Sequence, residues 1–212
     1  MTQMVNVGDM LNGQKIVPVV VIDNKQQALG LAQALLDGGI QVIEITLRNS
    51  YGMQAITDVK TAFPEMLTLA GTVNTAQSML DVMAAGADGV ISPGITATLL
   101  RTAVDNKIPY LPGIATASEV LTAMEYGLSE CKLFPATVVG GVSALKAFSG
   151  PLSNMKFCPT GGVGEGNYQA FLALANVMCV GGSWIAPSPL IAQADWQGIS
   201  ELCKATLASL DA

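Results

Sequence analysis

Along most of the chain, short runs of β-branched and aliphatic residues alternate with longer stretches in which apolar positions recur at helical spacing. The apolar runs fall at residues 15–22, 41–47, 67–73, 89–93, 109–114, 130–134, 156–159 and 177–181, each of strand rather than helix length. The helical stretches between them carry their own punctuation. One opens near Asn24 and stops at Gly38 and Gly39, another runs from Thr75 to Ala85 and closes at Gly86, and a third covers 118–126 and closes at Gly127. Asn, Ser and Thr start helices by accepting hydrogen bonds from first-turn N–H groups, and Gly ends them by adopting positive φ. Strand centres recur at roughly 20 to 26 residues, enough for a strand, two loops and a covering helix. Eight such units in succession predict an α/β fold, a single (β/α)8 TIM barrel over 15–187. An N-terminal capping helix is expected in 1–14 and a C-terminal helical region in 188–212, all within one domain. An open doubly wound sheet is the alternative, because the count of eight depends on the short fourth and fifth runs.

Composition sharpens this picture. Half of the 212 residues are hydrophobic and 12% are charged, with a mean hydropathy of +0.47. Such values raise the question of a membrane protein, but the longest apolar run, Ile16 to Ile22, is far below the ~18 to 20 residues of a spanning helix. The polar start MTQMVNVGDMLNGQK lacks the apolar core of a signal peptide. A soluble, cytoplasmic protein is expected. High apolarity without spans suits a parallel sheet buried on both faces. The net charge of −6, with no cluster of Lys or Arg, disfavours nucleic acid as a partner. Cys131, Cys158, Cys179 and Cys203 are widely spaced and read as reduced core thiols rather than metal ligands or a redox pair. The chain has no histidine. A Ser-His or Cys-His nucleophile is thereby excluded, and chemistry must rest on Lys, carboxylates, hydroxyls and backbone.

In a barrel the reacting groups sit at the C-terminal ends of the strands. The second run alternates strictly, placing Glu44, Thr46 and Arg48 on one face and Ile43, Ile45 and Leu47 on the other. The polar face must be the lumen. Glu44 and Arg48 could form a structural ion pair, or Arg48, one of two arginines in the chain, could present its fork to a substrate carboxylate. By the same period Lys132 shares a face with Phe134 and opposes Cys131 and Leu133. A strand lysine is often an edge or snorkelling residue; in an interior strand facing Glu44 and Arg48 it becomes a candidate amine nucleophile. The seventh and eighth runs end in paired glycines, Gly161-Gly162 and Gly181-Gly182 followed by Ser183. These are either tight turns or backbone cradles for phosphate. Gly71 and Thr72 on the third run, and Ser92, Pro93 and Gly94 on the fourth, put small residues at the lumen edge. Thr72 could donate to a carboxylate or be a satisfied core residue.

Taken together, Glu44-Ile45-Thr46-Leu47-Arg48, Ala70-Gly71-Thr72-Val73, Ile91-Ser92-Pro93-Gly94, Lys132-Leu133-Phe134-Pro135-Ala136, Phe157-Cys158-Pro159-Thr160-Gly161-Gly162 and Gly181-Gly182-Ser183-Trp184 resemble the 2-keto-3-deoxy-6-phosphogluconate (KDPG) aldolases, also called 4-hydroxy-2-oxoglutarate (KHG) aldolases. The resemblance runs in consistent order from about Val17 to Trp184. It implies a class I aldolase in which Lys132 forms the Schiff base and Glu44 is the general acid/base. It implies further that Arg48 binds the pyruvoyl carboxylate with Thr72 beside it, that Pro93 and Phe134 line the pocket, and that Gly161, Gly162, Gly182 and Ser183 hold the distal phosphate. A keto-acid phosphate substrate, a homotrimer, and no metal or other cofactor follow from the same resemblance. Asn49 stands where threonine is common, Ala115 replaces a frequent serine, and Thr137-Val138-Val139 replaces an acidic, polar stretch. These departures bear on the preferred substrate, with a 6-phosphogalactonate-type aldolase as one alternative. A phosphate-binding barrel isomerase or decarboxylase, or a non-catalytic sugar-phosphate sensor, would explain the glycines but not Lys132.

Overall fold

The computed structural model describes residues 5–210. The strands are β1 (Ile16–Val20), β2 (Val42–Thr46), β3 (Leu67–Gly71), β4 (Gly89–Ile91), β5 (Tyr110–Leu111), β6 (Gly113–Ile114), β7 (Glu130–Leu133), β8 (Lys156–Pro159) and β9 (Val180–Gly182). The helices are α1 (Val7–Met10), α2 (Lys25–Asp37), α3 (Gly52–Ala62), α4 (Ala76–Ala84), α5 (Ala97–Asn106), α6 (Ala117–Glu125), α7 (Gly141–Ser149), α8 (Tyr168–Leu172), α9 (Ser188–Ala192) and α10 (Trp196–Ala208). All pairings are parallel. A six-stranded curled sheet has the order β5, β4, β3, β2, β1, β9, and a three-stranded sheet the order β6, β7, β8. Strands follow one another in chain order and the first pairs with the last, which an open doubly wound sheet does not do.

Two features explain why the fifth and eighth runs differ from the expected strands. The fifth splits at Pro112, which has no N–H to enter a ladder, although its carbonyl still accepts from Lys132 N at 2.8 Å. The eighth starts at Val180 instead of residue 177. Phe157 bridges Val177 and Thr160 bridges Gly181, so three steps along one strand oppose four along the other. The extra residue is accommodated as a bulge that interrupts regular pairing. The two bridges join β8 to β9, and at the other margin the chain runs directly from β5 to β6 through Pro112.

The N-terminal expectation needs correction. Residues 1–4 lie outside the described residues, and within 5–14 only the single turn α1 is helical. Asn12 and Gly13, both at positive φ, end it. Val7 and Leu11 are buried, and Gly8 N donates to Glu130 Oε2 at 2.8 Å, which seats the turn at the N-terminal end of β7. At the other end of the chain, α9 and α10 occupy most of the expected helical region; residues 211–212 are outside the described part.

The helices start where their capping side chains sit. Asn24, Thr75, Thr96 and Thr116 each accept from a first-turn N–H, worth about 1 kcal/mol apiece. All five residues of β2 are buried, as expected for a strand covered on both faces. Ile43 and Ile45 carry the apolar side, each worth ~1.5 to 3 kcal/mol as a fully buried aliphatic. Glu44 and Thr46 are thereby forced to the opposite face, where Thr46 finds a partner in Val20 O at 2.9 Å.

Candidate active site

Lys132 and Glu44, on β7 and β2, meet inside the curled sheet. Lys132 Nζ lies 2.9 Å from Glu44 Oε1 and 3.1 Å from Oε2, with the two residues 5% and 2% exposed. Burial this deep costs several kcal/mol of lost hydration per ion, which the pair's attraction at best offsets. A hydrophobic pair would serve stability as well, so the arrangement points to chemistry. The Phe134 ring stands with its centroid 5.6 Å from Nζ and walls one side of the amine. The alternative Glu44–Arg48 ion pair is not formed: Arg48 is exposed and takes part in neither of the two salt bridges among the described residues.

Room for the Glu44 carboxylate comes from Gly71. A Cβ at that position would lie 2.4 Å from Glu44 Oε1 and 2.8 Å from its Cγ. Gly71→Ala is therefore expected to displace the carboxylate and reduce kcat by roughly 10²-fold, the scale of a lost general acid/base, while the strand still folds. Steady-state kinetics alongside thermal melting measures this; unchanged kcat would mean that Glu44 reaches its working position by another route.

A cavity of about 150 Å3 opens beside the pair, lined by Val19, Arg48, Phe134, Thr160, Gly161, Gly162, Val163, Gly182 and Ser183. Six of the residues singled out in the sequence are thus brought together in one place. The two glycine pairs serve different ends. Gly161 and Gly162 have φ of +94° and +76°, a conformation that side-chain-bearing residues rarely adopt. The N–H groups of Gly162 and Val163 donate to no acceptor among the described residues, while that of Gly161 faces Gly181 in the bridge between Thr160 and Gly181. Two such donors on consecutive residues at a cavity wall are suited to cradle an anion. Gly181 and Gly182 are not at positive φ; they are needed for space. A Cβ at 181 would sit 2.4 Å from Thr160 Oγ1, and one at 182 would sit 2.1 Å from the Trp184 ring.

Thr72 lies just past the end of β3 with φ +61°, strained for a β-branched residue. Its hydroxyl makes no hydrogen bond among the described residues, so it is not a satisfied core threonine. Pro93 is exposed beyond β4 and presses on β6, where a Cβ at Gly113 would come within 2.3 Å of its carbonyl. Neither Thr72 nor Pro93 is among the residues lining the cavity.

Sequence reasoning overlooked Thr160 and Val19. Both were accessible by period two: Thr160 follows Cys158, the register partner of Lys132, and Val19 is the register partner of Glu44. It also gave no structural part to Asn49, whose side chain hydrogen-bonds to Ile22, Asp23, Tyr51 and Gly52. All four cysteines are free and buried.

A model of the family described as KDPG and KHG aldolase matches residues 7–202. The chain is 43% identical over 203 residues to the 2-dehydro-3-deoxy-phosphogluconate aldolase of Dickeya dadantii, covering 96% of this chain and 95% of that one. It is 44% identical over 189 residues to the KHG/KDPG aldolase of Escherichia coli K12, covering 89% of each. Among solved structures, the KDPG aldolase of Legionella pneumophila, with pyruvate captured at low pH as a covalent carbinolamine, superposes with a TM-score of 0.91 at 44% identity over 93% of this chain and 96% of that one. With a buried lysine–glutamate pair beside an anion cradle, and with matches of this extent, the chain belongs to the KDPG and KHG aldolase family.

Proposed function

We propose that this protein is a class I aldolase that cleaves 2-keto-3-deoxy-6-phosphogluconate to pyruvate and glyceraldehyde 3-phosphate, and 4-hydroxy-2-oxoglutarate to pyruvate and glyoxylate. The observation that carries this reading is the Lys132–Glu44 contact at 2.9 Å inside the sheet. An amine must give up its proton before it attacks a ketone, and the carboxylate in contact with it is the acceptor within reach. Nζ adds to the C2 carbonyl to give a carbinolamine, the species captured in the Legionella relative. Glu44 returns a proton to the departing hydroxyl, and water leaves to form a protonated imine.

That cation is the electron sink, so the route needs no metal. Glu44 takes the C4 hydroxyl proton, the C3–C4 bond breaks, its electrons move into an enamine, and the aldehyde departs. Protonation of the enamine at C3 and hydrolysis of the imine then release pyruvate and restore Lys132. In this reading Arg48 holds the keto-acid carboxylate, with Thr72 beside it and Pro93 and Phe134 bounding the pocket. The turn at Gly161 and Gly162, with the free N–H groups of Gly162 and Val163, holds the distal phosphate together with Gly182 and Ser183. Fixing both ends of the substrate places C2 at the amine, which is where positioning supplies most of its rate advantage.

The wider reading is of one domain, a closed eight-stranded barrel in which β5 and β6 act as one strand and α1 caps the N-terminal end. It works in the cytoplasm as a homotrimer. The barrel is supported by the bridges from β8 to β9 and by the direct run of the chain from β5 to β6; among the described residues no helix is long and apolar enough to cross a membrane. The test is pyruvate release from both substrates and from the 6-phosphogalactonate epimer, coupled to borohydride reduction in the presence of pyruvate. Pyruvate from the phosphorylated gluconate and a covalent adduct on the chain are expected; turnover without an adduct would replace the Schiff-base route with a different chemistry.

A further inference from the structure

Arg48 has a task that demands orientation, yet its own side chain is tied to nothing among the described residues. Its direction is therefore inherited from its backbone. The backbone is pinned on both sides. Before it, Thr46 Oγ1 donates to Val20 O at 2.9 Å, locking the end of β2 to β1. After it, Asn49 makes four hydrogen bonds. Its Nδ2 donates to Ile22 O at 3.0 Å and to Asp23 Oδ1 at 2.8 Å, and its Oδ1 accepts from Tyr51 N at 3.1 Å and Gly52 N at 3.0 Å.

These four bonds use the whole capacity of a carboxamide, two N–H donors and two lone pairs. They do two separable jobs. The acceptor bonds start α3, whose nominal cap Tyr51 contributes no side-chain capping bond. The donor bonds cross to the β1–α2 loop, which is itself stiffened: Asp23 N donates to Gln27 Oε1 at 2.9 Å, and Asn24 Oδ1 accepts from Gln27 N at 3.0 Å. Gly52 adds a steric stop, since a Cβ there would lie 2.7 Å from Thr46 O. Arg48 thus stands on a short bridge clamped at Thr46 and Asn49.

We propose that Asn49 is a positioning residue for the aldol reaction: by tying the β2–α3 loop to the β1–α2 loop, it holds the Arg48 guanidinium over the site where the keto-acid carboxylate binds. This rests on the assignment of Arg48 above. The effect should appear in substrate binding rather than in the chemical step, and it should act through Arg48 alone.

The experiment is a double-mutant cycle on the full chain, reading KM for the keto acid, kcat, the half-saturating pyruvate concentration for borohydride trapping, and Tm. Asn49→Ala is expected to raise KM and the trapping midpoint roughly tenfold with kcat changed less than threefold. Arg48→Ala should raise both by at least as much, and Asn49→Ala should add little further in that background. Asn49→Asp separates the two jobs, because it keeps the acceptor for α3 but loses the donors to Ile22 and Asp23. It should keep α3 capped and still raise KM, with Tm lowered by the carboxylate it sets against Asp23. An unchanged KM in Asn49→Asp, or full additivity with Arg48→Ala, would reduce Asn49 to a helix cap and overturn the proposal. If Arg48→Ala itself leaves KM unchanged, the assignment of Arg48 falls as well. A raised KM in Arg48→Ala with an unaltered one in Asn49→Ala would sink the positioning role alone.

Discussion

Lys132→Ala, incubated with pyruvate and borohydride, is expected to yield no covalent adduct by intact mass spectrometry and no measurable aldol cleavage, while the unmodified protein is labelled on the peptide containing residue 132. The reason is geometric. Among the residues lining the cavity or touching Lys132 there is no second amine: the neighbours are Glu44, Phe134 and Arg48, and a guanidinium stays protonated. The same substitution leaves Glu44 buried without its partner. Breaking a buried pair from one side costs about 3 to 5 kcal/mol, so the variant should also melt at lower temperature. Lys132→Met combined with Glu44→Gln removes both charges and keeps the volume. It should recover most of the stability and remain unlabelled. Labelling of either variant would move the nucleophile elsewhere.

Glu44→Gln should behave differently from the lysine variant. The amide keeps the shape of the carboxylate in the space opened by Gly71 but accepts no proton. Imine formation then relies on water, and C3–C4 cleavage loses its base. We expect kcat to fall by roughly 10²-fold or more, with the borohydride adduct still forming slowly. Retained adduct with lost turnover would set Glu44 in the proton transfers rather than in attachment of the substrate. Turnover equal to that of the unmodified protein would remove Glu44 from the mechanism.

Both expectations were within reach of the bare chain only in part. Period two on residues 43–48 and 131–134 assigns Glu44, Arg48 and Lys132 to a common polar side, because alternation along a strand is local. The missing histidine narrows the chemistry by elimination. The roles of general acid/base and Schiff-base lysine came from resemblance to a known family, not from spacing. Strand and helix positions were legible where capping residues and β-branched runs are distinct. They were less so at 109–114, where Pro112 divides the strand, and at 177–181, where a bulge delays regular pairing. The four-residue α1 was overestimated, since an apolar turn that ends at Asn12 and Gly13 resembles the start of a longer helix.

Local order, then, was determined by the sequence itself: which segments become strands, which side chains face inward, and which glycines accompany the strand ends. The tertiary structure decided which inward-facing groups meet. Glu44 and Lys132 are 88 positions apart and touch only because the sheet curls. That curl chose Lys132 over Arg48 as the partner of Glu44, gave Gly71 its purpose, and separated a glycine pair required by φ from one required by space. Asn49 carries the same lesson: two of its four hydrogen bonds cross to the β1–α2 loop, and no periodicity records a contact between segments whose approach depends on packing.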